Sequence, residues 1–375
     1  MTASATLLND ARGVRVTWAD GSSRDVSARW LFDHADDARD PVSGQRAHGA
    51  LASAEEARRI ETAAIERGAL QVRFAPSGAQ RRIDLSRLRT DLAASARAIE
   101  PWQAPDPIAA APPVPFKDYL GDDSARLEVL SRVARWGVAF LDGAGREPGA
   151  VERAVEAFGF VRETNYGRTF DVRIEPRPGN LAYTDRPLDL HTDNPYRDPV
   201  PTVQLLHAIV ADASGGETVF VDGFAHAEAL RRAAPVAFET LARTPVRFSF
   251  ADDTGARWSH QAPVLGLDAG GDVEVVRLNH RSLDLAHGEP GAVDAWYDAY
   301  LAYYRRLHDP AAAFGRRLAP GEMVIFDNRR IVHGRRAMAR ESSRWLQGCY
   351  ADIDGLRATL ARLERTRALE PAHAV

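Results

Sequence analysis

The chain has one cysteine in 375 residues, Cys349. That excludes an intramolecular disulfide and any cysteine-rich zinc site, and it fits a reducing compartment. Charge of neither sign dominates: 48 Lys and Arg stand against 52 Asp and Glu, a formal net charge of −4. Neither the basic footprint of a nucleic-acid binder nor an acidic tail is present, which points to small-molecule partners. No apolar run of about 18 residues exists that would cross a membrane. The opening "MTASATLLNDARG" lacks the basic and apolar regions of a secretory signal. The expectation is a cytoplasmic, unexported protein, long enough to bury a sizeable core.

What is present falls into three parts. "GVRVTWADGSSRDVSARWL" and "ALQVRFAPSGAQRRIDLSRL" read as short alternating strands around tight turns, the first an Asp-Gly hairpin. They predict a small β-rich N-terminal domain over residues 1–95. The Pro/Ala-rich stretch "EPWQAPDPIAAAPPVPF" cannot continue a helix or a ladder and predicts a linker or surface strap over 96–116. Residues 117–375 form the main domain. It opens on the segment 122–143, helical in spacing at Leu127, Leu130 and Val133 before it turns into a strand, and on a second helix at 147–161; strand-like runs follow, interrupted by one amphipathic helix at 224–243 and another at 292–308. Many strands arranged in runs with few helices predict a mainly β fold, a sandwich or open barrel decorated by helices.

The chemistry concentrates in "DLHTDNPYRDP". In a strand, residues two apart share a face, so His191 and Asp193 aim an imidazole and a carboxylate at one point. A divalent iron that must bind O2 and a chelating co-substrate needs three protein ligands on one face, and two histidines with one carboxylate meet that need. The third candidate is His333 in "EMVIFDNRRIVHGRRAM". Further along stands Arg344 in "SSRWLQGCY", whose guanidinium suits a two-pronged bond to a co-substrate carboxylate. His207 in "VQLLHAI" reads as a satisfied core histidine. His34, His48, His308 and His373 receive no role.

With those residues in place the sequence resembles the Fe(II)/2-oxoglutarate dioxygenases of the taurine-dioxygenase-like superfamily. The segments "TNYGRTFDV", "NLAYTDRPLDLHTDNPY", "GGETVFVDGF", "FDNRRIVHGRRA" and "SRWLQGCYADID" are similar to the γ-butyrobetaine and trimethyllysine hydroxylase branch. The resemblance implies a double-stranded β-helix (jelly-roll) catalytic domain and a homodimer. It implies Fe(II) held by His191, Asp193 and His333, and 2-oxoglutarate and O2 as co-substrates. Arg344 and Thr218 would bind the distal carboxylate of 2-oxoglutarate. Tyr166, Phe170, Tyr183 and Tyr350 match an aromatic cage for a trimethylammonium group, where a cation gains from the ring faces. Asn180 matches a contact to the substrate's acid group.

Two departures from the branch stand out. The branch's N-terminal zinc cysteines align with Ala35, Asp37 and Asp40, so no N-terminal zinc is expected. Where the branch has an Asn-Asn pair, this chain has Asn279 and His280, followed by Arg281 and Ser282. An imidazole there, beside Arg281 and Arg197, would suit a more highly charged acid group. The reading on sequence alone is a hydroxylase of a small quaternary-ammonium acid. The favoured substrate is 2-(trimethylamino)ethylphosphonate, hydroxylated at the carbon bearing phosphorus, and the alternative is γ-butyrobetaine. A non-catalytic quaternary-amine module would predict a broken triad or a missing Arg344, and a zinc hydrolase would leave Arg344 idle.

Overall fold

The computed structural model describes residues 3–46, 57–90, 99–174, 183–212, 215–252, 254–285, 288–339 and 343–369. The chain divides into two compact units, Met1–Ala96 and Arg97–Val375. The first holds two three-stranded antiparallel sheets. One comprises β1 (Ala3–Leu7), β2 (Gly13–Trp18) and β3 (Ser23–Ser27). The other comprises β4 (Arg59–Glu66), β5 (Ala69–Ala75) and β6 (Gln80–Asp84), and the short helices α1 (Ala28–Asp33) and α2 (Leu85–Thr90) follow β3 and β6. Alternate residues Val14, Val16 and Trp18 face a core shared with Phe32, Leu70 and Phe74, as the period of two requires. Gly21, at φ +82°, turns β2 into β3. Of the positions aligned with zinc cysteines, Ala35 is fully buried and Asp37 pairs with Arg81. Asp40 accepts from the Val42 and Ser43 backbone N–H groups at 3.1 and 2.6 Å.

The second unit is built on two facing sheets. The seven-stranded sheet runs β7 (Val114–Pro115), β8 (Val138–Asp142), β20 (Met323–Asp327), β12 (Val203–Asp212), β22 (Ser343–Ala351) and β10 (Phe170–Arg173). Its seventh strand, β9 (Val161–Arg162), also pairs with β22. The four-stranded sheet runs β11 (Leu188–His191), β21 (Ile331–Arg335), β13 (Thr218–Asp222) and β19 (Phe314–Arg316). Alternation along the strands sorts their residues. Val203, Leu205, Met323, Ile325, Cys349 and Ala351 pack outward on helices α4 (Phe116–Gly121), α5 (Asp123–Trp136), α6 (Ala150–Glu156) and α10 (Ile353–Leu369). Leu206, Val324, Phe326 and Leu346 turn inward to meet Phe220 and Ile331 of the facing sheet. The result is a jelly roll, mainly β with helices.

Behind the smaller sheet lie α7 (Gly223–Ala233), α8 (Pro235–Arg243) and α9 (Pro290–Leu307). With them is a small sheet of β14 (Val246–Ala251), β15 (Arg257–Ala262) and β18 (Leu283–Asp284), and a hairpin of β16 (Leu265–Leu267) and β17 (Val273–Val276). The single helix expected at 224–243 is two, because Pro235 has no N–H to continue the first and instead opens the second. The proline-rich segment is not a loose strap. It carries α3 (Asp106–Ala110) and β7, and it buries Trp102 and Ile108 in the inner core. The Trp102 backbone N–H donates to Asp222 at 3.0 Å and its indole N–H to the Trp136 carbonyl at 2.8 Å. His207 is a core histidine: fully buried, it faces the Gly145 carbonyl at 3.0 Å, and burial lowers its pKa. No helix among the described residues is long and apolar enough to cross a membrane.

Candidate active site

The four-stranded sheet brings the two histidines together. β11 and β21 are antiparallel neighbours in which His191 stands opposite His333, their rings 4.4 Å apart. Asp193 reaches the same point by a different route from the one its spacing predicts. β11 stops at His191, and Asp193 sits on the following loop, where Asn194 takes a positive φ of 53°. That loop is held from the β20–β21 turn. Asn328 accepts from the Asp193 N–H at 2.8 Å, and its Nδ2 donates to the Asp193 carbonyl at 3.0 Å and the Pro201 carbonyl at 2.8 Å.

The three side chains offer ligand atoms within 4.8 Å of one another. His191 Nδ1 faces the Asp189 carbonyl at 2.8 Å, and a carbonyl only accepts, so this nitrogen carries a proton. In the neutral ring Nε2 then bears a lone pair, and it faces Asp193 Oδ1 at 3.2 Å. Two lone pairs at that distance require a cation between them, a proton or a metal ion. Donors about 2.1 Å from one octahedral ion lie about 3 Å apart, so the pair fits a divalent ion. Burial, and then the charge of His191, push His333 down to about 3, leaving it neutral and able to donate a lone pair. Burial raises the Asp193 carboxyl, but a proton shared from His191 and the Tyr350 O–H outweigh it and hold the group well below the usual range. Tyr350 O–H donates to Asp193 Oδ2 at 2.7 Å.

These residues open onto a cavity of about 400 Å³. At one end Arg344 Nη2 donates to Thr218 Oγ1 at 3.4 Å. Arg335 lines the same cavity and donates to the Thr184 and Arg186 carbonyls at 2.5 and 2.8 Å. Burial and the neighbouring Arg335 pull Arg344 down to about 9; this end of the cavity is short of negative charge and suits an anion. Elsewhere the wall is aromatic. Tyr166, Phe170, Tyr183 and Tyr350 all line it, with ring separations of 6.3 Å for Tyr166–Phe170 and 5.0 Å for Phe170–Tyr350. Arg281, Asn279 and Ser282 close another side.

Two expected site residues fall elsewhere. His280 is exposed and stacks on Tyr300 at 6.2 Å, outside the cavity. The cause is a turn in which the Ser282 N–H bonds the Asn279 carbonyl at 3.1 Å, so 279 and 281 face inward and 280 outward. Arg197 donates to Asn165 and lies over the Trp258 ring at 5.3 Å, and it does not line the cavity. Asn180 lies outside the described residues, as do His48 and His373. The sequence reading missed Asn194, Tyr196, Gln204, Phe250 and Arg335, which all line the cavity. Tyr196 O–H donates to Asn194 at 2.7 Å and stacks on Phe250 at 5.1 Å. Asn194 and Tyr196 belong to the "HTDNPY" stretch, but a period of two counted from His191 and Asp193 turns them to the opposite face; the loop after β11, with Asn194 at φ 53°, brings them in, and Phe250 carried no signal.

Gly348 shows how tightly the aromatic wall is built. A Cβ there would stand 2.5 Å from two ring carbons of Phe170. Gly348→Ala should therefore tilt Phe170 out of the wall. If the wall binds a cation, affinity for it falls about 2- to 30-fold, the equivalent of one ring, while metal affinity is unchanged. Calorimetric titration with each ligand checks this.

The profile of the family described as "Taurine catabolism dioxygenase TauD, TfdA family" matches residues 97–350. The chain belongs to this family. Among curated proteins similar to this TauD/TfdA-family chain is a gamma-butyrobetaine dioxygenase of Pseudomonas sp. strain AK-1. It is 40% identical over 247 residues, 66% of this chain and 64% of that protein. A mitochondrial trimethyllysine dioxygenase of Bos taurus is 30% identical over 260 residues, 68% of this chain and 61% of that protein. The matched part of the chain thus spans under two thirds of the length of either relative. Among solved structures, PvcB, an Fe, alpha-ketoglutarate dependent oxygenase from an isonitrile synthetic pathway, aligns with a TM-score of 0.47 at 23% identity. That alignment covers 61% of this chain and 80% of that one.

Proposed function

We propose that the protein is an Fe(II)/2-oxoglutarate-dependent hydroxylase of a small quaternary-ammonium carboxylate of the γ-butyrobetaine kind. The observation that carries the reading is the content of one cavity: a His191–Asp193–His333 donor set, a buried Arg344–Thr218 pair and an aromatic wall. His191, Asp193 and His333 would hold the iron, which with 2-oxoglutarate and O2 supplies the oxidising chemistry when bound. The protein's own residues position and exclude. Arg344 and Thr218 fix the distal carboxylate of the co-substrate, with a charge-assisted bond that sets its reach. Tyr166, Phe170, Tyr183 and Tyr350 hold the ammonium head, so the C–H presented to the metal is set by the distance from cage to triad. The apolar lining of Val172, Leu188, Leu206 and Leu346 keeps water away from the reacting centre.

For the acid group, the cavity lining favours a carboxylate over a phosphonate. The phosphonate reading rested on His280 beside Arg281 and Arg197, and of these only Arg281 lines the cavity. Arg281 with Asn194, Asn279 and Ser282 remains, one guanidinium among neutral donors, which suits a singly charged carboxylate. The 40% identity to a gamma-butyrobetaine dioxygenase supports the same choice. The test is succinate formation by the anaerobically iron-loaded protein given 2-oxoglutarate and O2. It is run with γ-butyrobetaine, with 2-(trimethylamino)ethylphosphonate and with trimethyllysine. Turnover coupled to γ-butyrobetaine is expected; coupling to the phosphonate alone would overturn the carboxylate reading.

A further inference from the structure

Gln204 has no place in the reading so far. It stands on β12, is 3% exposed and lines the cavity. Its Oε1 is shut off from solvent and has no hydrogen-bond partner among the described residues. Its inward-facing neighbour on the strand is Leu206, so a leucine or methionine at 204 would extend an apolar surface already present. A polar side chain buried without a partner works against the fold, and such groups mark places where a ligand completes the bonding.

The register fixes where Gln204 points. Across β12 and β22 it stands opposite Tyr350, and across β12 and β20 opposite Phe326. Tyr350 holds Asp193 by its O–H at 2.7 Å, and the Phe326 ring packs on His333 at 4.8 Å. Gln204 therefore lies level with the metal ligands. Arg344, which pairs with Ala211, is at the far end of the same two strands. A co-substrate anchored by its distal carboxylate at Arg344 brings its 2-oxo-carboxylate head to the level of Gln204. The two ends of an amide exchange places by a half-turn about its last bond; with the N–H at the position that lacks a partner, Gln204 donates to the head's carboxylate oxygen in a charge-assisted bond.

We propose that Gln204 binds the metal-facing carboxylate of the 2-oxo acid, a role that rests on the function proposed above. The experiment uses the full chain loaded anaerobically with Fe(II) and titrated with 2-oxoglutarate. It follows the visible charge-transfer absorption of the chelate, with γ-butyrobetaine affinity and the unfolding midpoint of the ligand-free protein measured alongside. Gln204→Met, of similar shape, should leave the ligand-free midpoint equal or higher and metal affinity unchanged, and weaken 2-oxoglutarate about 10- to 100-fold. Gln204→Glu, which turns a negative charge on the head, should weaken it further. A merely structural glutamine would lower the midpoint and leave 2-oxoglutarate affinity alone, which overturns the proposal. Loss confined to γ-butyrobetaine also overturns it, by assigning the amide to the primary substrate. If the unaltered protein binds no 2-oxoglutarate, the functional reading itself fails, and Gln204 with it.

Discussion

Asp193→Asn should abolish metal binding and turnover while leaving the fold as stable as before, or slightly more so. The asymmetry follows from the local geometry. In the unaltered protein Asp193 Oδ1 faces His191 Nε2 at 3.2 Å while Oδ2 accepts from Tyr350 at 2.7 Å. An asparagine of the same shape keeps the Tyr350 bond with its carbonyl and turns its NH2 toward the imidazole lone pair. That satisfies in the metal-free protein what otherwise needs a cation. The anionic ligand is gone, however. Altering residues that merely support a ligand already costs about 10- to 100-fold in affinity, so losing the ligand itself should exceed about 100-fold. Equilibrium dialysis with Mn(II) reads the loss without any turnover, and a thermal scan reads the stability. Retained metal affinity would remove Asp193 from the donor set.

How much of this site the sequence disclosed depends on whether a residue's direction is fixed by a local rule. His191 was legible from the period of a strand, and His333 and Arg344 from residue type and order along the chain; strand pairing then brings all three to one cavity. Asp193 was found for a reason only partly right: its strand ends before it, and Asn328, far along the chain, does the holding. Adjacency in sequence does not fix the direction of His280: a turn sends it outward while Asn279 and Arg281 face the cavity. Gln204 looked like an ordinary interruption of an apolar strand, since its lack of a partner is a property of packing. The jelly roll was legible from the run of strands, but the break at Ala234 and the docking of Trp102 depend on a single proline and on a distant acid, Asp222.

That acid leads to the second large effect, on stability. Arg330 is 2% exposed and Asp222 fully buried. The guanidinium meets the carboxylate with Nη2–Oδ2 at 2.7 Å and Nε–Oδ1 at 3.2 Å. Its other N–H groups donate to the Arg135 and Glu100 carbonyls at 2.8 and 2.9 Å. Asp222 in turn caps α7, accepting from the Phe224 and Ala225 N–H groups at 3.0 and 3.2 Å. One ion pair thus ties together the proline-rich segment, the start of α7 and the turn that carries Asn328 and leads into His333. Arg330→Met leaves a carboxylate with no counter-charge in the core, a change that costs about 3–5 kcal/mol. For a unit of this size that lowers the unfolding midpoint by on the order of 10 °C. Adding Asp222→Asn removes the stranded charge and keeps an acceptor for the helix cap, so the double variant should be more stable than Arg330→Met alone. If the midpoint of Arg330→Met is unchanged, or if the second substitution makes matters worse, the pair is not the tie described. Because the Asn328 turn sits beside it, metal affinity should fall in Arg330→Met and recover in the double variant in step with the midpoint. That couples the deepest ion pair of the fold to the geometry of the site.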